Sequence, residues 1–264
     1  HRTADPAAHE PRTSSGAAEA LREAADPVGT LETRIPTVQD AITWMTFATR
    51  PGACGTADLL VLRAADRNVA VRGGRMDVGY SRRAADNWNA VPSCAQGLLR
   101  VRLEMADGRV RSLSGAIVDA APEEAVDAGE AAGYLLSVAT SSPEPVALLA
   151  MTAAVLAAAP VRSGALLSIA EDARRPDAVR AFAARWLGHA GDASIAPALE
   201  RMARGASTPH AVHLAAVDAL GALGGGTGSP HLARLRDDAP DDRVRQAAAR
   251  QWDLVRARLP APGP

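Results

Sequence analysis

From Leu99 to Met105 the chain alternates strictly, with Leu99, Val101, Leu103 and Met105 apolar and Arg100, Arg102 and Glu104 charged. A period of two sends one set of side chains to a buried face and the other to water, so this segment predicts a half-buried strand. Asp107-Gly108 follows, and then a second strand-like run from Arg109 to Val118. Asp-Gly is the favoured centre of a two-residue type I′ turn, where both positions need positive φ, so the two runs predict a hairpin. Upstream, Ile42, Trp44 and Met45-Thr-Phe47 predict a strand stopped by Arg50-Pro-Gly52, and Leu59–Leu62 and Val69–Arg72 predict two more.

Past Asp119-Ala-Ala-Pro122 the period changes from two to that of a helix. Helices are expected at about 123–139, 144–158, 162–173, 177–189, 194–204, 209–222, 229–237 and 241–257, with prolines near their starts or between them, where they cost little. The later helices repeat about every 32 to 33 residues. Asp177-Ala-Val-Arg180 precedes Ala183, Ala184 and Leu187. His210-Ala-Val-His213 precedes Ala216, Val217 and Leu220. Asp242-Arg-Val-Arg245 precedes Ala248, Ala249 and Trp252. The intervening helices align Leu167, Leu199 and Leu232 in one column and Ala170, Met202 and Leu235 in the next. Such a period predicts an α-solenoid, because no single helix pair can bury its apolar face alone. Trp186, Trp252 and Phe182 are the expected anchors between helices.

The predicted fold class is therefore α+β: a small β-rich N-terminal domain, then a solenoid of about four helix pairs. The expected division is a disordered leader over 1–30, with a short helix at about Ser15 to Ala25, then the β-rich domain over 31–122. Helical repeats follow over 123–258 and a disordered tail over 259–264.

A Val-Arg pair near the start of the first helix, small residues midway and an acid three places before the Arg resemble the HEAT-repeat family. The likeness covers roughly residues 162 to 258 and extends more weakly back to about 129. It implies an extended binding surface, with another protein as the partner. The middle copy departs from the pattern, carrying His210 and His213 where its neighbours carry Asp and Arg. The whole chain is also similar to uncharacterised bacterial HEAT-repeat proteins with a Cys-containing β region in front, which lend no activity.

Composition narrows the chemistry. All 29 basic residues are Arg and none is Lys. This excludes Schiff-base and pyridoxal-phosphate enzymes, Walker-A nucleotide hydrolases, protein kinases and Ser-Lys hydrolases. Gly224-Gly-Gly-Thr-Gly-Ser229 therefore reads as an inter-helix turn rather than a phosphate cradle. Net charge is −1, and residues 161–264 hold 14 Arg against 11 acids, too small a surplus for a phosphate-backbone binder. The longest apolar run, Val146 to Ala159, is too short to span a bilayer. No cofactor is called for.

Cys54 and Cys94 are the only cysteines, both at turn-like ends of β segments, without CxxC or Cys/His spacing suited to zinc. In an exported protein one disulfide between them is the economical reading, with two separate buried thiols as the alternative. The opening His-Arg-Thr-Ala-Asp-Pro, with no initiator Met, fits a mature periplasmic or secreted chain. A cytoplasmic home is expected if the thiols are free.

Among candidate sites, His210 and His213 alone have metal-compatible spacing, one helical turn apart, with His231 or Asp218 as third ligand. They lack the HExxH pattern, and repeat register alone accounts for their placement. Asp177–Arg180 and Asp242–Arg245 share a helix face at i,i+3 and can pair, which makes them candidates for a repeat ladder or for partner contact. Arg180, Arg245, Arg185 and Arg250 could instead line an inner groove. Asp119, Glu123, Glu124, Asp127 and Glu130 form an acidic cluster best explained as a solvated helix start. The functional expectation is a non-enzymatic interaction or scaffold protein of the bacterial cell envelope. The alternative is a ligand-binding protein or lyase-like enzyme with a pocket at the β/α junction, near Trp44, Trp88, Tyr134 and Asp119.

Overall fold

The computed structural model describes residues 41–56, 59–63, 68–72, 75–79, 97–118 and 125–258. The expected leader, its short helix, the C-terminal tail, Cys94, Trp88, Asp119, Glu123 and Glu124 lie outside the described residues. Within them the fold is α+β: two small antiparallel sheets, then eight helices.

Strands β1 (Ala41–Ala48), β6 (Leu98–Ala106) and β7 (Arg109–Val118) form one sheet in the order β1-β6-β7. The expected hairpin is present, with Asp107 and Gly108 both at positive φ, 51° and 69°. Phe47 stands opposite Leu99 and Met45 opposite Val101, so the apolar sets of neighbouring strands share one face. That face packs on the helices. The other carries Trp44 and Ile42, 52% and 57% exposed, with the Arg100 guanidinium 4.5 Å from the centre of the Trp44 ring.

The second sheet is a meander of β2 (Ala53–Thr56), β3 (Leu59–Arg63), β4 (Asn68–Arg72) and β5 (Arg75–Gly79). Sequence pattern missed β2, whose four residues carry no alternation, and β5, where Arg75-Met76-Asp77-Val78 alternates over only two periods. Cys54 is thus a mid-strand residue paired with Val61, not a turn-like end, and it is fully buried. Cys54, Val61 and Ala70 form a small apolar row across this sheet, while Leu60, Leu62, Val69 and Val71 point to the main core.

The helices are α1 (Ala128–Ser141), α2 (Glu144–Leu156), α3 (Ser163–Glu171), α4 (Asp177–His189), α5 (Ala196–Arg204), α6 (His210–Ala222), α7 (Ser229–Asp238) and α8 (Asp242–Arg258). They pack as four pairs, α1–α2, α3–α4, α5–α6 and α7–α8, with α4 stacked on α6 and α6 on α8. Helix α1 starts at Ala128 rather than 123, because the Asp127 side chain caps it, accepting from the Gly129 and Glu130 amides at 2.8 and 2.9 Å.

The buried columns differ by one residue from the sequence alignment. Leu166, Leu199 and Leu232 are all fully buried, as Ile169, Met202 and Leu235 are buried, each column at a spacing of 33. Leu167 is only partly buried, although Ala170 beside Ile169 is fully so. Trp186 is buried and meets Phe182 edge-on at 6.2 Å, whereas Trp252 lies partly open between Arg236 and Arg256. The Gly224–Gly226 stretch is a single 3₁₀ turn between α6 and α7.

Sheets and helices share one core. Main-chain bonds join them too: Arg50 N donates to Leu156 O at 2.9 Å, Ala158 N to Ala48 O at 2.8 Å and Val126 N to Thr46 O at 2.9 Å. The half-buried Arg50 guanidinium donates to Ala159 O at 3.2 Å, and desolvation lowers its pKa.

Candidate functional site

The repeated residues sit at the first turns of α4, α6 and α8 and share a task. Arg180 Nε donates to Ala170 O at 3.0 Å, His213 Nε2 to Gly205 O at 2.8 Å, and the Arg245 guanidinium to Ala239 O. Each acceptor ends the helix before it, where carbonyls lack intrahelical donors. The acids three places earlier join in: Asp177 lies 3.9 Å from Arg180, and Asp242 pairs with Arg245. Arg180 is only 7% exposed, so it cannot line a groove as the sequence allowed.

His213 substitutes for Arg in this task, with a consequence. A carbonyl only accepts, so Nε2 carries the proton and Nδ1 of the neutral ring holds a lone pair. His213 is 8% exposed, and its Nδ1 is buried without a hydrogen-bond partner. The His210 ring meets the His213 ring edge-on at 6.4 Å, and His210 Nδ1 is 3.6 Å from Asp241 Oδ2. Asp241 caps α8, its Oδ1 accepting from Arg243 N at 2.7 Å. That amide, helped by the Val244 amide and by His210 and His213, holds the Asp241 carboxyl below its usual pKa. Ligand atoms of His210, His213 and Asp241 all lie within 4.8 Å of one another.

Neither third residue suggested by the sequence joins this cluster. His231 Nδ1 is bonded to Glu200 Oε2 at 2.7 Å, and Asp218 accepts from Gln251 Nε2 at 3.0 Å. Both belong to a different structure, a ladder between repeats that sequence reading missed. Glu200 of α5 receives Arg234 of α7 at 2.7 Å, and Arg204 reaches Asp238 at 2.5 Å. Arg185 of α4 lies 3.7 Å from Asp218 of α6, which in turn holds Gln251 of α8. These partners are 31 to 34 residues apart, so each rung spans one repeat. The signal was available as opposite charges at the repeat period. Hydrogen bonds from Arg234, with His231 adding to them, hold the Glu200 carboxyl down at about 2. Burial instead pushes the Asp218 carboxyl up.

Two open clefts accompany these elements. One of about 380 Å³ lies at the β/α junction, lined by residues including Met105, Arg109, Arg111, Tyr134, Ser137 and Ser141. Arg111 there is paired with Asp107 at 3.1 Å. Tyr134 packs on the core side of the first sheet, whereas Trp44 projects from its far face, so the two do not converge. Asp127 is occupied as a helix cap. The other cleft, about 490 Å³, lies between the first two helix pairs, and its charged side chains include Asp172, Arg174 and Arg175. Asp172 binds Arg174 at 2.9 Å, and Arg175 donates to Ala139 O at 2.8 Å and Ser142 O at 2.9 Å.

Three helix pairs in register, tied by rungs one repeat long, are the geometry of one repeat family. Residues 164–251 match the family model of HEAT repeats. No curated protein and no solved structure matches the chain. The HEAT match begins in α3 and ends in α8, so the pair α1–α2 and both sheets lie outside it. In this HEAT-like array α4 and α6 are buried along most of their length. They leave a narrow strip through Arg185, Leu214 and Asp218 that continues to Arg250 of α8. Among the described residues no helix is long and apolar enough to cross a membrane.

Proposed function

We propose that this protein is a non-enzymatic interaction or scaffold protein whose HEAT-like solenoid binds another protein. HEAT repeats suggest a protein-interaction solenoid, and the match over residues 164–251 is the observation that carries the reading. The strip through Arg185, Leu214, Asp218 and Arg250 is the proposed contact surface. It is continuous across three stacked helices, it mixes both charge signs, and its rungs fix the side chains before a partner arrives.

The proposed setting is the cell envelope, with Cys54 joined to Cys94 in a disulfide. Support comes from the lack of a free cysteine among the described residues, which include Cys54. Such a bond belongs to an oxidising compartment. Alkylation in denaturant of protein recovered unreduced from its cells tests this: no thiol should react, and two reactive thiols would place the chain in a reducing compartment.

The partner reading is tested by affinity capture from the envelope fraction with the full chain beside its Arg185→Glu/Arg250→Glu variant. One protein retained reproducibly by the native chain and lost by the variant is the expected result. Equal retention by both moves the contact to another face. Retention of nothing by either removes the interaction reading.

A further inference from the structure

We propose that His210, His213 and Asp241 form a binding site for a divalent transition-metal cation of the zinc type, bridging two consecutive helix pairs. The first observation is the stranded nitrogen. A buried imidazole nitrogen with a lone pair and no partner loses hydration without return, which a metal ion would restore. Its other nitrogen donates to the Gly205 carbonyl, and this fixes the tautomer and ring orientation as carbonyls do behind metal-bound histidines.

The second observation is the geometry of the donors. Four ligands at about 2.0–2.1 Å around a tetrahedral ion stand about 3.4 Å apart. His210 Nδ1 and Asp241 Oδ2 are 3.6 Å apart, too far for a good hydrogen bond and close to that edge. One ligand atom from each of the three residues lies within 4.8 Å of the others, a gap that imidazole rotation on His210 can close. Asp241 spends Oδ1 on the Arg243 amide and keeps Oδ2 for the ion.

The third observation comes from the repeat itself. The slots of His210 and His213 hold Asp and Arg in both neighbouring copies, and the slot of Asp241 holds Pro176 and Pro209 in the other two. Three departures from one pattern, on two helices, meet at one point. Two imidazoles and one carboxylate suit zinc and its neighbours in the first transition row rather than calcium or magnesium, which prefer oxygen. His210 and Asp241 are half-exposed, so the fourth position opens to solvent, where water or a donor side chain from another protein completes the shell.

The test is isothermal titration of Zn(II) into the full chain after chelator treatment, with thermal melts of each variant in chelator and in Zn(II). The native chain should bind one ion and melt higher with it. His210→Ala, at a half-exposed position, should weaken binding by at least about a hundredfold, the upper end for losing even an outer-shell partner. Asp241→Asn keeps the helix cap, and His213→Gln keeps a donor for Gly205, so both should melt near the native value in chelator and gain nothing from zinc. Cobalt(II) should give the intense visible bands of a tetrahedral site in the native chain only. No binding to the native chain, or binding that His210→Ala and Asp241→Asn leave unchanged, would overturn the proposal.

Discussion

Arg180 and Arg245 occupy the same slot in two repeats, yet the same substitution should cost different amounts. Arg180 is buried and its Nε serves the Ala170 carbonyl at 3.0 Å, so Arg180→Ala strands that acceptor away from water. A loss of roughly 2–3 kcal/mol in denaturant unfolding is expected, the range for bonds to a charged group plus an unsatisfied carbonyl. Arg245 is half-exposed, and water can replace it at Ala239, so Arg245→Ala should cost less than about 1 kcal/mol. Equal losses would show that burial is not what distinguishes them. Glu200 offers a pH test at the same scale. Its folded pKa, about 2, lies below its ordinary 4.5, so the folded state favours the ionised form. The stabilisation is fully present above pH 4.5 and is lost as pH falls toward 2. Glu200→Gln should flatten the stability profile across that window, and an unchanged slope would mean that the Arg234 and His231 rungs contribute nothing.

At the scale of elements, two glycines separate steric from conformational demands. A Cβ on Gly188 would stand 2.5 Å from Ala219 O and 2.6 Å from its Cα, because α4 and α6 touch there backbone to backbone. Gly188→Val should therefore force the helices apart and lower stability by about 3 kcal/mol, the upper part of the overpacking range. Gly108 meets nothing within 4 Å but holds φ at +69° in the hairpin turn. Gly108→Ala should cost about 1 kcal/mol through backbone strain alone, with the rest of the hairpin unchanged in amide exchange. Hairpin and helices were legible because each follows a local rule, a period or a turn dipeptide. Strands β2 and β5 were not: β2 has no alternation, and the alternation of β5 from Arg75 to Val78 is too short to stand out as a period. The burial column was misread by one residue because Leu166-Leu167 and Ile169-Ala170 offer adjacent apolar choices, and only packing decides which one points inward.

For the whole molecule, the continuous core and the main-chain bonds from Ala48 and Arg50 to the end of α2 make sheets and helices one mechanical unit. Solenoids can unfold repeat by repeat. This one is expected to show a single calorimetric transition with equal calorimetric and van't Hoff enthalpies. Two resolved transitions would contradict the shared core. Dividing the chain between its β-rich and helical parts should leave neither half folded as in the whole, since it uncovers Leu99, Val101, Met151 and Val155 together.

The sequence by itself determined the α+β class, the hairpin, the eight helices between residues 128 and 258, the repeat period and the middle copy's two histidines, since all of these are periodicities or local chemistry written along one dimension. Tertiary structure alone decided which residues meet across that period. It placed Glu200 under Arg234 and Asp218 beside Gln251, and it buried Arg180. It also brought Asp241, rather than His231 or Asp218, to the two histidines. Such contacts depend on how stacked helices rotate against each other, and that rotation is set by the summed packing of both surfaces rather than by any one stretch of chain.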